Sequence, residues 1–357
     1  MSNKKKKTKT PFVSICTPTF NRRPFIPFLI KCVEQQTYPL DKMEWIIVDD
    51  GSDPIEDLVK GISFVKYFKY DKKMTLGKKR NLMHQKSSGD ILVYMDDDDY
   101  YPPERISHAV EMLQQNPSAL CAGTSEMHIF FKHIQKMYQF GPYGPNHTTA
   151  ATMAFRRELL SQTKYDENAC LAEEKHFLKN YTVPFVQLDP TKSILVVSHI
   201  HNSFDKKQML DEPNKFINES TKTIDDFIKD PTLKQFYIED VDNLLDNYEQ
   251  GLPHYKQDVV KQTEKIREDR EKMIKDHRTS IFLKMELQMQ EKMREYGEEL
   301  KTHYEKIIQD KTILINAVIK RNKELMAKNE EYENQIAMLE SKIEYVEVGI
   351  DNSSENK

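Results

Sequence analysis

Four consecutive aspartates, Asp96, Asp97, Asp98 and Asp99, directly follow a short apolar run at residues 91–95. The apolar run is typical of a buried strand, so the four carboxylates stand where the chain leaves the core. Carboxylates this close repel one another, and a divalent cation with oxygen ligands relieves that repulsion. Ligands of open α/β sheets bind at the carboxyl ends of strands. We therefore predict a cation-binding strand end, although an isolated acidic run is also typical of a solvated turn.

Apolar runs alternate with amphipathic stretches through residues 12–95. We predict strands at 12–17, 45–48, 62–67 and 91–95, with helices through 28–33 and 78–85. This alternation predicts a parallel, Rossmann-like α/β sheet. Farther along we predict helices at 105–115, 156–162 and near 223–228, and strands at 120–124, 127–131 and 194–197.

The composition changes near residue 250, after which charge dominates and glycine and proline nearly vanish. Residues 258–348 are predicted to be helical, and two blocks follow the 4-3 apolar spacing of a heptad repeat. We predict a coiled coil that joins subunits into a homo-oligomer; the alternative is a single charged helix packed back on the first domain. The later block is Leu325, Asn329, Tyr332, Ile336, Leu339, Ile343 and Val346, and the earlier one is Leu300, Tyr304, Ile307, Lys311, Leu314 and Val318. We predict four segments: a disordered basic tail (1–10), an α/β domain (11–250), the helical region (258–348) and a disordered tail (349–357).

Bulk properties exclude several classes of protein. The chain has 357 residues and a formal net charge of −4, which does not mark a nucleic-acid binder. It contains no run of about 18 apolar residues, so we predict no transmembrane segment. Four widely spaced cysteines fit neither a zinc site nor a disulfide framework, and we interpret them as the reduced thiols of a cytoplasmic protein.

Polar side chains suited to a nucleoside diphosphate follow the first strands. Thr17, Thr19 and Asn21 supply short hydrogen-bonding groups, and Asp50 could accept a base N–H or a ribose hydroxyl. Asp50 also opens an Asp-Gly dipeptide, which is typical of a plain turn. Arg80 could pair with phosphate or stack on a base. Neither a dinucleotide-binding glycine fingerprint nor a P-loop is present.

Ordered motifs carry a resemblance to a known family. They lie at residues 13–22, 46–52, 80–81, 95–99, 152–160, 165–167 and 172–174. Together they resemble the family 2 glycosyltransferases of the GT-A fold, over about residues 11–205. The Asp-rich run also resembles members from large DNA viruses, which would place the protein in the host cytoplasm or the virion.

The resemblance implies a donor site and a metal site. Asp96 and Asp98 take the places of the family's Asp-x-Asp, which holds ribose and a Mn²⁺ or Mg²⁺ ion. His199 and His201 resemble a late histidine that completes the metal site, and we expect one of them to reach the metal. By position, the nucleotide-sugar ligands are Thr17, Pro18, Thr19, Asn21, Asp50, Arg80, Asp96 and Asp97, and the metal ligands are Asp98, His199 and His201.

The resemblance also implies a catalytic base. The family's Glu-Asp pair falls on Glu173-Glu174, so Glu174 is the expected base, with Glu173 as the competitor. An ordinary helix start, where acids are favoured, is the alternative. The implied activity is inverting, metal-dependent sugar transfer from a UDP- or GDP-sugar to a hydroxyl of a glycan, protein or lipid. A sugar-nucleotide nucleotidyltransferase and a coiled-coil scaffold with an inactive transferase domain are the other candidates.

Overall fold

The computed structural model describes residues 10–202, 206–210 and 214–351, with side chains through residue 343. The predicted tail at 1–10 lies outside these residues except for Thr10. The chain divides into two compact units, Met1–Asp269 and Arg270–Lys357.

The first half of unit 1 is a run of parallel strands. Strands β1 (Val13–Thr19), β2 (Met43–Asp49), β3 (Val65–Lys69) and β4 (Ile91–Tyr94) are joined by helices α1 (Ile26–Glu34), α2 (Glu56–Val59) and α3 (Leu76–Lys86). β1 lies between β2 and β4 and pairs in parallel with both. The predicted strand–helix alternation is confirmed here.

The second half adds antiparallel pairing. It contains α4 (Arg105–Gln115), β5 (Cys121–Gly123), β6 (Met127–Phe131), β7 (Lys136–Phe140), β8 (Ala154–Arg156), α5 (Glu174–Phe177), β9 (Phe185–Gln187), β10 (Leu195–Ser198) and β11 (Ile217–Glu219). The main sheet has the order β3-β2-β1-β4-β8-β5-β9, and β8 runs antiparallel to both neighbours. A smaller sheet has the order β10-β6-β7-β11. The main sheet is therefore mixed, and the predicted parallel arrangement describes its first four strands.

The helix predicted at 156–162 is present, but it is shorter and of a different type. Arg156, the first residue of the predicted helix, ends β8, and Arg157–Ser161 forms a 3₁₀ helix. Arg156 donates from its backbone N–H to the Leu120 carbonyl and pairs with Ile91 of β4, so the start of this segment belongs to the main sheet.

Alternating side chains of the central strands build a core on both faces of the sheet. In β2, Trp45 and Ile47 pack into one apolar cluster, whereas Ile46 and Val48 pack into the other. Every residue of β1 and β2 is buried, as expected for strands covered on both sides. The rigid sheet holds the strand ends in fixed positions.

The polar segment after the smaller sheet contributes to the core. It contains α6 (Ile224–Phe227), α7 (Pro231–Gln235) and α8 (Val241–Asp246). Asp230 caps α7 by accepting hydrogen bonds from the N–H groups of Thr232 and Leu233. The helix near 223–228 was predicted, but the sequence indicated neither of the other two.

Helix α9 (Gln257–Asp351) confirms the predicted helical region and continues three residues past residue 348. Its first turns belong to unit 1, and the rest forms unit 2. Among the described residues, no helix is both long enough and apolar enough to cross a membrane. All four cysteines, which were predicted to be reduced thiols, are free, and each is buried.

Candidate functional site

The ends of β1, β2 and β4 bring the predicted donor-side residues to one edge of the main sheet. Thr17 and Thr19 lie at the C-terminal end of β1. Asp50 follows β2, and the four aspartates follow β4. Because β1 pairs with both other strands, these segments are neighbours.

The acidic run folds inward and is not a solvated turn. Asp97 and Asp99 are each only 7% exposed. The Tyr101 hydroxyl accepts a hydrogen bond from the Asp96 backbone N–H at 2.6 Å, and the Tyr237 hydroxyl donates to the Asp99 carbonyl at 2.9 Å. These tyrosines fix the backbone of the run, so its carboxylates are held together despite their repulsion.

Arg22 pairs with two of the four aspartates. Its guanidinium lies 3.5 Å from Oδ1 of Asp97 and 3.5 Å from Oδ2 of Asp98. It also donates to the carbonyls of His201, at 2.7 Å, and Gly251, at 3.1 Å. Arg22 therefore ties the acidic run to two distant segments of unit 1.

The surroundings divide the aspartates into different charge states. Burial opposes ionisation of Asp98, but the hydrogen bond from His199 and the charge of Arg22 outweigh it and lower the pKa of Asp98. Burial raises the pKa of Asp97 to about 7, although Arg22 opposes the shift. Burial and the charge of Asp98 together raise the pKa of Asp99. At neutral pH, Asp98 is the firmly ionised carboxylate of the group.

The two histidines lie in different places. His199 Nε2 is 3.4 Å from Oδ2 of Asp98, and burial lowers the pKa of His199 to about 4, so the ring is neutral at pH 7. The His201 ring is fully buried and faces Tyr248 and Gly251. The structure therefore brings His199 to Asp98, and leaves the His201 ring apart from that carboxylate.

The donor set of this pair suits a hard divalent cation only in part. An ionised carboxylate and a neutral imidazole are acceptable ligands for such an ion. Within the described part of the chain, no three His, Cys, Asp or Glu side chains gather as a metal-ligand group. A cation held by Asp98 and His199 would take its other ligands from water or from a bound diphosphate.

The side chains of three predicted donor ligands are engaged inside the protein. Thr17 Oγ1 donates to the Met95 carbonyl and accepts from the indole of Trp45. Asp50 accepts from Lys79 Nζ, at 2.6 Å, and from the N–H of Met74. These hydrogen bonds connect the ends of neighbouring elements, so Thr17 and Asp50 support the site from the protein interior.

Asn21 is the third engaged side chain and has a left-handed backbone, with φ of 53°. Its side-chain oxygen accepts from the N–H groups of Ser52 and Asp53. A Cβ at Gly51 would lie 2.5 Å from that oxygen, so only glycine fits there. Asn21 thus joins the loops that follow β1 and β2.

Arg80 lies between the acidic run and the glutamate pair. Its Nε donates to Oε1 of Glu173 at 2.7 Å, and its Nη2 lies 3.5 Å from Oδ1 of Asp96. Its guanidinium stacks on the Tyr94 ring at 4.3 Å, and the side chain is almost fully buried. Arg80, which was predicted to pair with phosphate or stack on a base, pairs with these two carboxylates in the structure.

The two glutamates have different surroundings. Glu173 is buried and paired with Arg80. Glu174 is half-buried, and burial together with the charge of Glu173 raises the pKa of Glu174 to about 7. A carboxyl group that titrates near neutral pH is suited to general base catalysis.

Several buried polar atoms of the cluster have no hydrogen-bond partner among the described residues. They are Thr19 Oγ1, Arg22 Nε, Arg80 Nη1, Asp96 Oδ1 and Asp99 Oδ1. Buried polar groups in native proteins are nearly always paired, so their concentration at one sheet edge indicates a ligand site.

Sequence reasoning missed three basic residues at the site. Arg22 is the last residue of the motif at 13–22 and Lys79 precedes the motif at 80–81, and these positions were the only signal. Lys256 lies between the predicted domains and had no signal. Burial, followed by the charge of Arg22, lowers the pKa of Lys256 to about 7, while Asp97 and Asp98 oppose the shift.

Part of the chain is similar to known proteins. The model of glycosyl transferase family 2 matches residues 14–164. An uncharacterized glycosyltransferase of Haemophilus influenzae is 33% identical over 107 residues, which is 30% of this chain and 36% of that protein. The Staphylococcus aureus poly(ribitol-phosphate) beta-N-acetylglucosaminyltransferase TarS is 26% identical over 118 residues, which is 29% of this chain and 19% of TarS. The chain thus spans well under half the length of these curated relatives.

Solved structures with a similar fold are also glycosyltransferases. A mannosyltransferase from Pyrobaculum calidifontis, in complex with GDP-Man and Mn²⁺, has 15% identity and a TM-score of 0.44, covering 58% of this chain and 66% of that one. Residues 1–349 of S. aureus TarS, in complex with UDP-GlcNAc, have 18% identity and a TM-score of 0.42, covering 52% and 58%. Over residues 14–164 the chain is thus similar to the family 2 glycosyltransferases, and its mixed α/β sheet is of GT-A type.

Proposed function

We propose that the protein is a metal-dependent, inverting glycosyltransferase that moves a sugar from a nucleoside diphosphate to an acceptor hydroxyl. The observation that carries the proposal is a group of buried polar atoms, beside the ionised Asp98, that have no hydrogen-bond partner among the described residues. A charged, polar ligand such as a sugar diphosphate would satisfy those atoms.

The donor would be a UDP- or GDP-sugar that lies across the ends of β1 and β4. Asp98 and His199 would hold a Mn²⁺ or Mg²⁺ ion, and Asp96 and Asp97 would contact the nucleotide sugar. When bound, such a cation offsets the charge that develops on the leaving diphosphate. Arg22, 3.5 Å from two of these carboxylates, keeps them in place and adds positive charge.

Glu174 would be the base. The acceptor hydroxyl gives its proton to the Glu174 carboxylate as its oxygen bonds to the anomeric carbon, and the bond from that carbon to the diphosphate breaks. Attack from the face opposite the diphosphate inverts the configuration. Glu173 is less suited, because its carboxylate is committed to Arg80.

The test is Asp98→Ala, with Asp41→Ala as a matched control at an exposed aspartate. Transfer and donor hydrolysis are measured over a panel of UDP- and GDP-sugars, with Mn²⁺ or with excess EDTA. We expect Asp98→Ala to lose at least about 100-fold in rate while its melting temperature stays close to that of the wild type. Full activity of Asp98→Ala, or of the wild type in EDTA, would contradict the proposal.

The same assay separates the other candidates. Release of pyrophosphate from a nucleoside triphosphate and a sugar phosphate would indicate a nucleotidyltransferase. Absence of activity on every donor would favour an inactive domain on a coiled-coil scaffold. A cytoplasmic location and a viral origin stay predictions.

We also propose that unit 2 joins copies of this chain. Leu325, Tyr332, Ile336, Leu339 and Ile343 are each at least 43% exposed and follow the 4-3 spacing of a coiled-coil seam. Asn329 occupies a seam position, where a polar residue sets the register of two chains. A second copy of the same helix is the partner that this pattern fits.

A further inference from the structure

The loop at residues 166–174, called the base loop below, ends in the glutamate pair. One side of it rests on α3. The N–H of Gly77 donates to the Ala169 carbonyl at 2.9 Å, and the Thr75 hydroxyl donates to the Glu167 carbonyl. A Cβ at Gly77 would lie 2.0 Å from the Asp166 carbonyl oxygen, which shows how closely the loop approaches.

The first turns of α9 hold the other side of the base loop. The side-chain oxygen of Gln262 accepts hydrogen bonds from two consecutive backbone groups, the N–H of Cys170 at 2.6 Å and that of Leu171 at 2.8 Å. One turn earlier, Asp258 pairs with Lys73 and lies 3.5 Å from the Cys170 thiol. Gln262 and Asp258 of α9 therefore both contact the base loop at residues 170–171.

This stretch immediately precedes a strained residue. Ala172 has φ of 51°, in the left-handed region that costs an alanine about 1–2 kcal/mol. Such a conformation persists only where neighbouring contacts enforce it. Gln262 holds the N–H of Leu171, next to Ala172, and Arg80 holds Glu173 on the other side.

We propose that Gln262 is a positioning residue for Glu174, and that the start of the C-terminal helix is part of the catalytic unit. The inference rests on the proposed function, in which Glu174 is the base. A misplacement of a catalytic group by about 1 Å can cost about 100-fold in rate, so the two hydrogen bonds from the loop to Gln262 have a catalytic consequence. Donor binding, which uses other residues, does not depend on Gln262.

The experiment compares Gln262→Ala, Gln262→Glu and Gln257→Ala in the full chain. Gln257 is an exposed glutamine at the start of the same helix and is the matched control. We expect Gln262→Ala to lower kcat about tenfold with unchanged donor affinity. Gln262→Glu should restore the rate, because a carboxylate oxygen accepts the same two N–H groups. Amide hydrogen exchange should show faster exchange at residues 170–171 in Gln262→Ala only.

The outcomes separate this inference from the proposed function. A wild type that is inactive on every donor would defeat the proposed function, whereas amide exchange still decides, without substrate, whether Gln262 holds the loop. An active wild type with an equally active Gln262→Ala variant would overturn the positioning role. Equal losses of kcat and donor affinity would also overturn it, because they indicate general disruption.

Discussion

Glu173 and Glu174 are adjacent in sequence and differ in chemistry because of their neighbours. Arg80 donates a hydrogen bond to Glu173 at 2.7 Å. Glu174 has no such cation at hydrogen-bonding distance among the described residues, and burial raises its pKa to about 7. The raised pKa of Glu174 favours it, rather than the ion-paired Glu173, as the base.

The transfer rate should fall as the pH drops through about 7. The base must be ionised to accept a proton, and protonation of Glu174 at its raised pKa removes it. Glu174→Gln should lower kcat by about 10²–10⁴-fold and keep donor binding. The measurements are a pH profile of kcat and donor titration of the variant.

Two results would change this assignment. If Glu173→Gln abolishes transfer and Glu174→Gln does not, the two roles are exchanged. Asp97 also has a pKa of about 7, so donor affinity must be measured over the same pH range to separate the two groups.

Among the elements, Arg80 connects three parts of the site. It lies on α3, contacts Asp96 at the end of β4, and reaches Glu173 at the end of the base loop. Arg80 and Glu173 are buried, so their charges are poorly compensated by water, whereas Asp96 is partly exposed.

Arg80→Met should destabilise the protein by about 3–5 kcal/mol, since it leaves a buried carboxylate unpaired. The double variant Arg80→Met/Glu173→Gln should recover part of that loss, because the stranded charge is removed. Arg23→Met is the control: Arg23 pairs with Asp53 and Asp57 at the surface, and its removal should cost much less. Urea denaturation measures all three, and equal losses for Arg23→Met and Arg80→Met would contradict the argument.

Element length explains only part of which elements the sequence predicted, since the three-residue β5 was predicted as well. Helix α4 and strand β6 have the predicted bounds, because each is long enough to show its periodicity. Strands β8, β9 and β11 have three residues each, too few for an alternation to be recognised. The antiparallel position of β8 depends on pairing with β4 and β5, which are distant in sequence.

At the scale of the whole molecule, we expect the exposed apolar seam of unit 2 to make the protein self-associate. Ile336→Glu places a charge on the predicted seam and should shift the protein toward the monomer mass in sedimentation equilibrium. Met338→Glu is the control, since Met338 is similarly exposed but lies off the 4-3 spacing. A wild type that is monomeric at micromolar concentration would contradict the proposed homo-oligomer.

The linear order of residues was enough to predict the α/β class, the family, the long helix and the strand end that carries the aspartates. Those features depend on local apolar periodicity and on motifs of neighbouring residues, which a sequence displays directly. The partners of each charge depend on contacts between segments far apart in the chain. Only the folded structure therefore shows that Arg22 pairs with Asp97 and Asp98. It alone also shows that Glu173 pairs with Arg80 and that Gln262 contacts the base loop.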